Sequence, residues 1–362
     1  MSVRPIMIMA GGTGGHVYPA LAVARALQAA SRDVVWLGTR RGLESRVVPA
    51  AGIDIEWISV RGLRRKGAVA MLIAPIQLGR ALLQSLAVIR RRRPAAVLGM
   101  GGFVSGPGGV AAWLTRRPLV IHEQNAAAGL TNRLLARLAR VVLQAFPGSF
   151  NSDVGAKTVG NPVREAIAAV PPPQERYAAR QGPPRVLVLG GSQGALALNR
   201  AVPAALALLD ADVRPDVRHQ CGERTLDVAR RAYDEHGVDA EITPFIDDMA
   251  GAYAWADLVI CRAGALTVAE LCAVGLPALL VPYPAAVDDH QTANARPMAE
   301  AGAATIVPES RLTDVYLADL LRDWLPSRAG LQRRAVRARG LANPDALSRI
   351  SKVCLEQAGA FA

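Results

Sequence analysis

Aromatic side chains make up only 4% of this 362-residue chain, and lysine is confined to Lys66, Lys157 and Lys352. A nucleic-acid module that stacks bases has few rings to use. The arginine excess over lysine is a compositional habit and carries no function. The four cysteines, Cys221, Cys261, Cys272 and Cys354, show no CxxC spacing and no neighbouring His, so neither a zinc site nor a disulfide framework is expected, only buried, reduced thiols. The start, MSVRPIMIMAGG, lacks an apolar h-region and a small-residue cleavage site, so no signal peptide is expected. The sharpest absence is acid in residues 61–93, RGLRRKGAVAMLIAPIQLGRALLQSLAVIRRRR. These hold nine Arg or Lys, no Asp or Glu and no aromatic, and supply +9 of the chain's +12. Their longest uncharged run is 13 residues and contains Pro75, short of the about 20 that span a bilayer.

What is present is a repeated grammar. IMIMAGGTGGHVYPALAVARAL from Ile6 and VLVLGGSQGALALNRAVPAAL from Val186 each run from an apolar strand through a glycine-hydroxyl turn into a helical pattern. Aligned, Gly11, Gly12, Thr13 and Gly15 fall on Gly190, Gly191, Ser192 and Gly194. A buried strand, such a turn and a helix open a doubly wound α/β domain, so the fold class is α/β with two tandem Rossmann-like domains. VVWLGT, AAVLGM and LVIHEQ supply further strands in the first half, DLVICR and PALLVP in the second. Between the halves, five prolines from Pro171 to Pro184 mark the expected interdomain linker. NPDALSRISKVCLEQAG reads as a terminal helix.

A nicotinamide site fits poorly. The third glycine of its fingerprint falls on Val17, and the second strand ends in Thr39 and Arg40, where a ribose-binding acid would stand. What remains is the shared physics of anion binding by backbone N–H groups at a helix N-terminus. A third such start is CRAGALTVAELCAVGLP, where Gly264 and Ala265 allow close backbone approach and Thr267 adds a hydroxyl. Two helix N-termini in one half can clamp a diphosphate without a metal. Glu270 then offers acceptors for two vicinal ribose hydroxyls, or is an ordinary residue stabilised by the helix dipole; spacing leaves both open.

GGTGGHVYPALAVA, GLRRKG, VLGMGGFVSGPGG, IHEQNAAAGLTNR, VGNPVR, GGSQGA, FIDDMAGAYAWADLVICRAGALTVAE and DDHQTANA occur in order from about residue 5 to beyond residue 300. Together they closely resemble the bacterial cell-wall family of UDP-N-acetylglucosamine:N-acetylmuramyl-(pentapeptide) pyrophosphoryl-undecaprenol N-acetylglucosamine transferases. The resemblance implies a GT-B glycosyltransferase fold with a cleft between its domains. Residues 1–163 would form an acceptor- and membrane-binding domain and 164–340 a UDP-sugar-binding domain, with a helix in 341–362 returning to the first. The implied reaction is inverting transfer of N-acetylglucosamine from UDP to the C4 hydroxyl of the muramyl sugar of lipid I, giving lipid II for peptidoglycan. The implied setting is the cytoplasmic side of the bacterial inner membrane, as a peripheral protein on an anionic surface, in contact with other cell-wall proteins of cell shape and division. No tightly bound metal or other cofactor and no nucleic acid are implied.

By motif, Ser192 would meet the donor phosphates and Arg164 would lie close to the nucleotide. Ile246 would offer its backbone to uracil. Gly264, Ala265, Leu266, Thr267, Val268 and Ala269 would run along phosphates and sugar, Glu270 would hold the ribose, and Gln291 the transferred sugar. Thr13, Gly14, Gly15 and Asn125 would close over that sugar from the first domain. The family often has Ser at Ala263, so one hydroxyl is missing, and variation in DDHQ leaves open an exchange of roles between His290 and Gln291.

An inverting displacement needs a base for the acceptor hydroxyl and a stabiliser for the departing diphosphate. The helix N-termini and Arg164 fit the second role. His16, ending the first glycine turn and titrating near neutrality, is the leading base, or else it orients backbone or substrate; His122, Glu123 and Asp288 are further candidates. His219 and His236 stand in surface-like sequence.

Two other functions share some of these features. A GT-B-like UDP-N-acetylglucosamine 2-epimerase would act without a lipid acceptor and has no use for residues 61–93. A nucleic-acid-binding module would use the positive charge but leave the apolar runs unexplained. A bilayer surface uses both: Arg64, Arg65, Lys66 and Arg80 for anionic headgroups, and Leu72, Ile73 and Ile76 for the interface. Core packing competes for the same apolar residues.

Overall fold

The computed structural model describes residues 4–60, 68–191, 194–286 and 289–360, without the side chains of residues 68–73. The chain divides into two compact units, Met1–Val163 with Pro344–Ala362, and Arg164–Asn343.

The first unit runs Ile6–Met9 (β1), Gly14–Ala29 (α1), Val34–Gly38 (β2), Glu44–Ala50 (α2), Asp54–Trp57 (β3) and Ala68–Arg92 (α3). It continues with Ala96–Gly99 (β4), Ser105–Leu114 (α4), Leu119–Glu123 (β5), Leu130–Ala136 (α5), Val141–Gln144 (β6) and Lys157–Thr158 (β7). The seven strands are all parallel, in the order β3-β2-β1-β4-β5-β6-β7. β1, β2, β4 and β5 are buried throughout, which is why they read as unbroken apolar runs rather than alternating ones.

The second unit runs Glu165–Ala168 (α6), Pro173–Ala178 (α7), Arg185–Leu189 (β8), Leu196–Ala207 (α8), Asp216–Gln220 (β9), Leu226–His236 (α9), Glu241–Thr243 (β10) and Met249–Trp255 (α10). Leu258–Cys261 (β11), Ala265–Val274 (α11), Ala278–Leu280 (β12), His290–Glu300 (α12), Ala304–Ile306 (β13), Asp314–Trp324 (α13) and Arg328–Arg339 (α14) complete it. Its six strands repeat the plan as β10-β9-β8-β11-β12-β13, all parallel. In each sheet the winding reverses beside the first strand, between β1 and β4 and between β8 and β11. Loops at the carboxyl ends of those pairs splay apart there and leave a crevice for a ligand.

The last helix, Ala346–Gly359 (α15), belongs to the first unit. Ile350, Cys354 and Ala358, at helical spacing on one face, are buried in the core that also holds Val17, Leu21 and Ala24 of α1.

The proline-rich segment is not a linker. Pro172 caps α7 and Pro173 is its first residue, a position that needs no N–H and suits the fixed φ, so the prolines start a helix rather than break one. α7 carries the buried Arg176 and Tyr177 and packs on α14.

In α3, Ala81, Ser85, Val88 and Ile89 are buried, the last two in the core shared with α4. Residues 75–80 are exposed throughout, including Arg80. Ile76 and Leu83 are 72% and 69% exposed. The charge is less outward than the sequence implies, since Arg91 pairs with Glu56 and Arg92 with both Glu56 and Asp54. Burial raises the Glu56 carboxyl, the hydrogen bonds from Arg91 and Arg92 lower it, and the net direction is down. Arg64, Arg65 and Lys66, with the side chains of Leu72 and Ile73, lie outside the described residues.

Candidate active site

In the first unit the crevice is formed by the turn after β1 and the turn after β4. Thr13 is the exposed N-cap of α1, and its backbone carbonyl accepts from the His16 N–H at 3.1 Å. The His16 imidazole is half-exposed, with Nδ1 3.5 Å from Thr13 Oγ1. Its ring lies against Gly101, where φ is +92° and a Cβ would stand 2.5 Å from His16 Cδ2. Only glycine satisfies both the backbone and the ring, so VLGMGG makes the seat of His16.

One organiser of this turn escaped sequence reading. Glu44, fully buried, accepts from Gly12 N–H at 3.0 Å and from Thr39 N–H and hydroxyl at 3.0 and 2.7 Å. It thus ties the end of β2 to the glycine turn, and is engaged by the protein rather than offered to a ribose. Its only sequence signal is an acid amid the glycines of LGTRRGLE.

Two candidate bases are structural. His122 is wholly buried; Nε2 donates to the Gly160 carbonyl at 2.9 Å and Nδ1 accepts from Gln124 Nε2 at 3.2 Å. Burial outweighs the Gly160 bond and lowers its pKa, so it stays neutral. Glu123, 3% exposed, accepts from the Asn125 backbone N–H and side-chain amide, the Gly129 N–H and the Asn132 amide. Its work is to fix the loop that presents the half-buried Asn125. Asp288 lies outside the described residues, whereas His16 stays accessible.

In the second unit α11 starts at the reversal point, with Gly264 as an extended N-cap and Leu266 and Thr267 half-exposed on its first turn. First-turn N–H groups have no partner within a helix and offer partial positive charge to an anion. The other end of α11 is held by Arg176, which donates to the carbonyls of Val274 at 2.8 Å, Gly275 at 2.7 Å and Pro171 at 3.2 Å. Burial lowers this guanidinium to about 10, still charged at neutrality.

Glu270, one further turn along α11, is 5% exposed. Arg164, the N-cap of α6, donates to Oε1 at 3.0 Å and the buried Tyr253 hydroxyl donates to Oε2 at 3.0 Å. Burial raises the Glu270 pKa while Arg164 and Tyr253 pull it down, with a net upward shift. Two sequence candidates, Arg164 and Glu270, therefore meet, and a third partner, Tyr253, was missed; it sits one helix earlier in the FIDDM to GALTVAE stretch.

Ser192 lies outside the described residues, but its turn is anchored on both sides. Gly190 N–H donates to the Gln220 carbonyl, and Gly194 sits so tightly that a Cβ would come within 2.5 Å of the Cys221 carbonyl. Ile246 is half-buried, two residues after Pro244. Gln291 Oε1 accepts from Tyr283 N–H at 2.9 Å, which leaves its NH2 as the group to offer a sugar hydroxyl; His290 beside it is also half-buried. His219 is not a surface residue: it is fully buried between Tyr233 and Asn199, and burial pushes it down to about 3. His236 is exposed, and all four cysteines are buried and free. Among the described residues no group of three or more His, Cys, Asp or Glu is placed to hold a metal ion.

Residues 6–144 match the glycosyltransferase family 28 N-terminal domain and residues 185–350 the family 28 C-terminal domain. The chain belongs to glycosyltransferase family 28. Within it the chain is similar to the UDP-N-acetylglucosamine--N-acetylmuramyl-(pentapeptide) pyrophosphoryl-undecaprenol N-acetylglucosamine transferase of Alkalilimnicola ehrlichii, 62% identical over 98% of this chain and 99% of that one. The enzyme of that name from Marinobacter nauticus is 56% identical over 98% of each. The crystal structure of Acinetobacter baumannii MurG superposes with a TM-score of 0.85 at 40% identity, covering 98% of this chain and 99% of its own. The calicheamicin glycosyltransferase CalG4, TM-score 0.70 at 18% identity, shares the fold. Family 28 membership and these neighbours establish the GT-B class with two parallel-sheet Rossmann-like domains.

Proposed function

We propose that this family 28 enzyme transfers N-acetylglucosamine from UDP-N-acetylglucosamine to the C4 hydroxyl of the muramyl sugar of lipid I, with inversion, to make lipid II. The observation that carries the reading is the meeting of Arg164 and Glu270 at the reversal point of the second sheet, in a chain 62% identical to a relative named for this transfer. Glu270 holds the ribose hydroxyls, with Arg164 and Tyr253 fixing its carboxylate. The first turn of α11 and the turn containing Ser192 face the diphosphate and stabilise the charge that grows as UDP departs. Gln291 donates to the sugar, and Ile246 offers its backbone to uracil.

His16 takes the proton of the acceptor hydroxyl, its ring seated on Gly101 beside Thr13, Gly14 and Gly15. Asn125, held by Glu123, adds a contact to the transferred sugar. The residues supply this charge stabilisation without a metal or other cofactor.

The acceptor lies in a membrane, and no helix among the described residues is long and apolar enough to cross one. The exposed Ile76 and Leu83 on α3, with Arg80 between them, support peripheral binding to an anionic bilayer, on the cytoplasmic side of the inner membrane. Donor consumption with and without a lipid I analogue tests the reading: turnover needs the acceptor, whereas brisk acceptor-free conversion of UDP-N-acetylglucosamine would mark an epimerase instead.

A further inference from the structure

Gln220, the last residue of β9, spans two loops that sequence motifs do not connect. Its side-chain Oε1 accepts from Gly191 N–H at 2.9 Å. Its Nε2 donates to the Gly191 carbonyl at 3.0 Å and to the Pro244 carbonyl at 2.9 Å. The orientation of the amide follows from its partners, since two carbonyls only accept and one N–H only donates. Gly191 is in the left-handed region, φ +79°, immediately before Ser192, and Pro244 stands two residues before Ile246. Gln220 itself is buried, and both ends of its amide are engaged by loop backbone.

We propose that Gln220 is a positioning residue that sets the spacing between the diphosphate turn and the nucleobase loop, and thereby makes the enzyme selective for a uridine diphosphate over other nucleoside diphosphates. This deepens the donor-site reading above and rests on it. All nucleoside diphosphates share one reach from diphosphate to base, so the discrimination comes from the backbone near Ile246, which reads the base only when its loop stands at that distance from the diphosphate turn. A single amide, bonded to the N–H and carbonyl of Gly191 and to the Pro244 carbonyl, holds that separation. Without it Gly191 loses both of its hydrogen bonds to the Gln220 side chain and each loop can settle alone.

The test is steady-state kinetics with UDP-N-acetylglucosamine and its cytidine and adenosine diphosphate counterparts, all ribonucleotides, for the full chain and for Gln220→Leu and Gln220→Glu. Tyr177→Phe serves as a packing control. It removes a buried hydrogen bond to the Asp257 carbonyl, at 2.6 Å, next to the start of β11. For Gln220→Leu the expected result is a KM for UDP-N-acetylglucosamine raised roughly tenfold or more, kcat changed by less than about threefold, and base selectivity compressed by about the same factor as KM rises. Gln220→Glu, which keeps an acceptor for Gly191 but sets a carboxylate against two carbonyls, loses selectivity too and decides the matter if Gln220→Leu does not fold. Tyr177→Phe lowers the melting temperature and leaves KM and selectivity intact. A Gln220 variant that loses only thermal stability, as the control does, overturns the proposal. If the unsubstituted chain itself shows no uridine preference, the donor-site reading falls first, and Gln220 has nothing to couple.

Discussion

Arg164 and Glu270, 106 positions apart, meet at 3.0 Å, and the guanidinium is 41% exposed while the carboxylate is 6% exposed. The pair is asymmetric: the acid is committed to the protein interior and the base reaches solvent. With Glu270 in its proposed role at the ribose, donor recognition depends on keeping a buried carboxylate ionised.

Its pH dependence follows. Burial raises the Glu270 pKa above 4.5, and Arg164 opposes the rise. With a raised folded pKa, this group's contribution to fold stability is complete below pH 4.5 and is lost as pH rises through the folded value. Donor binding runs the other way on the proposed ribose contact, which needs the carboxylate, and weakens as pH falls through that same value. Calorimetric titration of UDP against pH should show an acid limb above pH 4.5. Arg164→Gln, which removes the opposing influence, should move that limb to higher pH as well as weakening binding.

Tyr253→Phe removes the hydroxyl from Glu270 Oε2 and leaves a buried acceptor short of one donor. KM for the donor should rise by roughly fivefold to tenfold with kcat nearly unchanged. A 2′-deoxyribose donor discriminates the cause, since Tyr253→Phe should matter much less for it than for the natural donor.

Arg176→Met deprives the carbonyls of Val274 and Gly275 at the carboxyl end of α11, and that of Pro171 just before α7, of their charged donor. The loss should be about 3 kcal/mol, read as a lowered denaturant midpoint. Donor KM should rise as well, since the proposed diphosphate contact is at the other end of the same helix.

For the bilayer, Ile76→Glu with Leu83→Glu should reduce partition onto anionic vesicles while turnover of a short-chain soluble acceptor and the melting temperature stay put. Both side chains are exposed, so neither change disturbs the core.

If helix ends and arginine meet the diphosphate as proposed, chelation of divalent ions by EDTA should leave turnover unchanged. A loss of activity restored by Mg2+ would contradict that assignment.

The parts of this protein that repeat were legible from sequence, and the parts that converge were not. The strands of VVWLGT, AAVLGM, LVIHEQ, DLVICR and PALLVP form as read, because strands buried on both faces announce themselves as apolar runs. β3, β9 and β10, which carry Asp54, Glu56, Arg218 and Glu241 towards the sheet edges, lack that signature and went unread. The prolines at 171–173 were misread because proline ends a helix in its interior but begins one at its first turn. Motif matching placed Arg164 and Glu270 near one nucleotide, yet the side chains that hold such groups, Tyr253, Gln220 and Glu44, act through partners that no local pattern encodes. His219 shows the converse: an unremarkable local sequence hides a buried imidazole because Asn199 and Tyr233 come from other elements.

Transfer to a lipid acceptor is tested most directly by the product itself. With UDP-N-acetylglucosamine labelled in the sugar and a lipid I analogue, the label should pass into the lipid phase as a β-1,4-linked disaccharide, one UDP released per sugar transferred, and His16→Ala should slow this by about 100-fold or more while still binding UDP. Label that stays in the aqueous phase as free sugar or as an epimerised nucleotide sugar, or that reaches the lipid in the α configuration, would contradict the account.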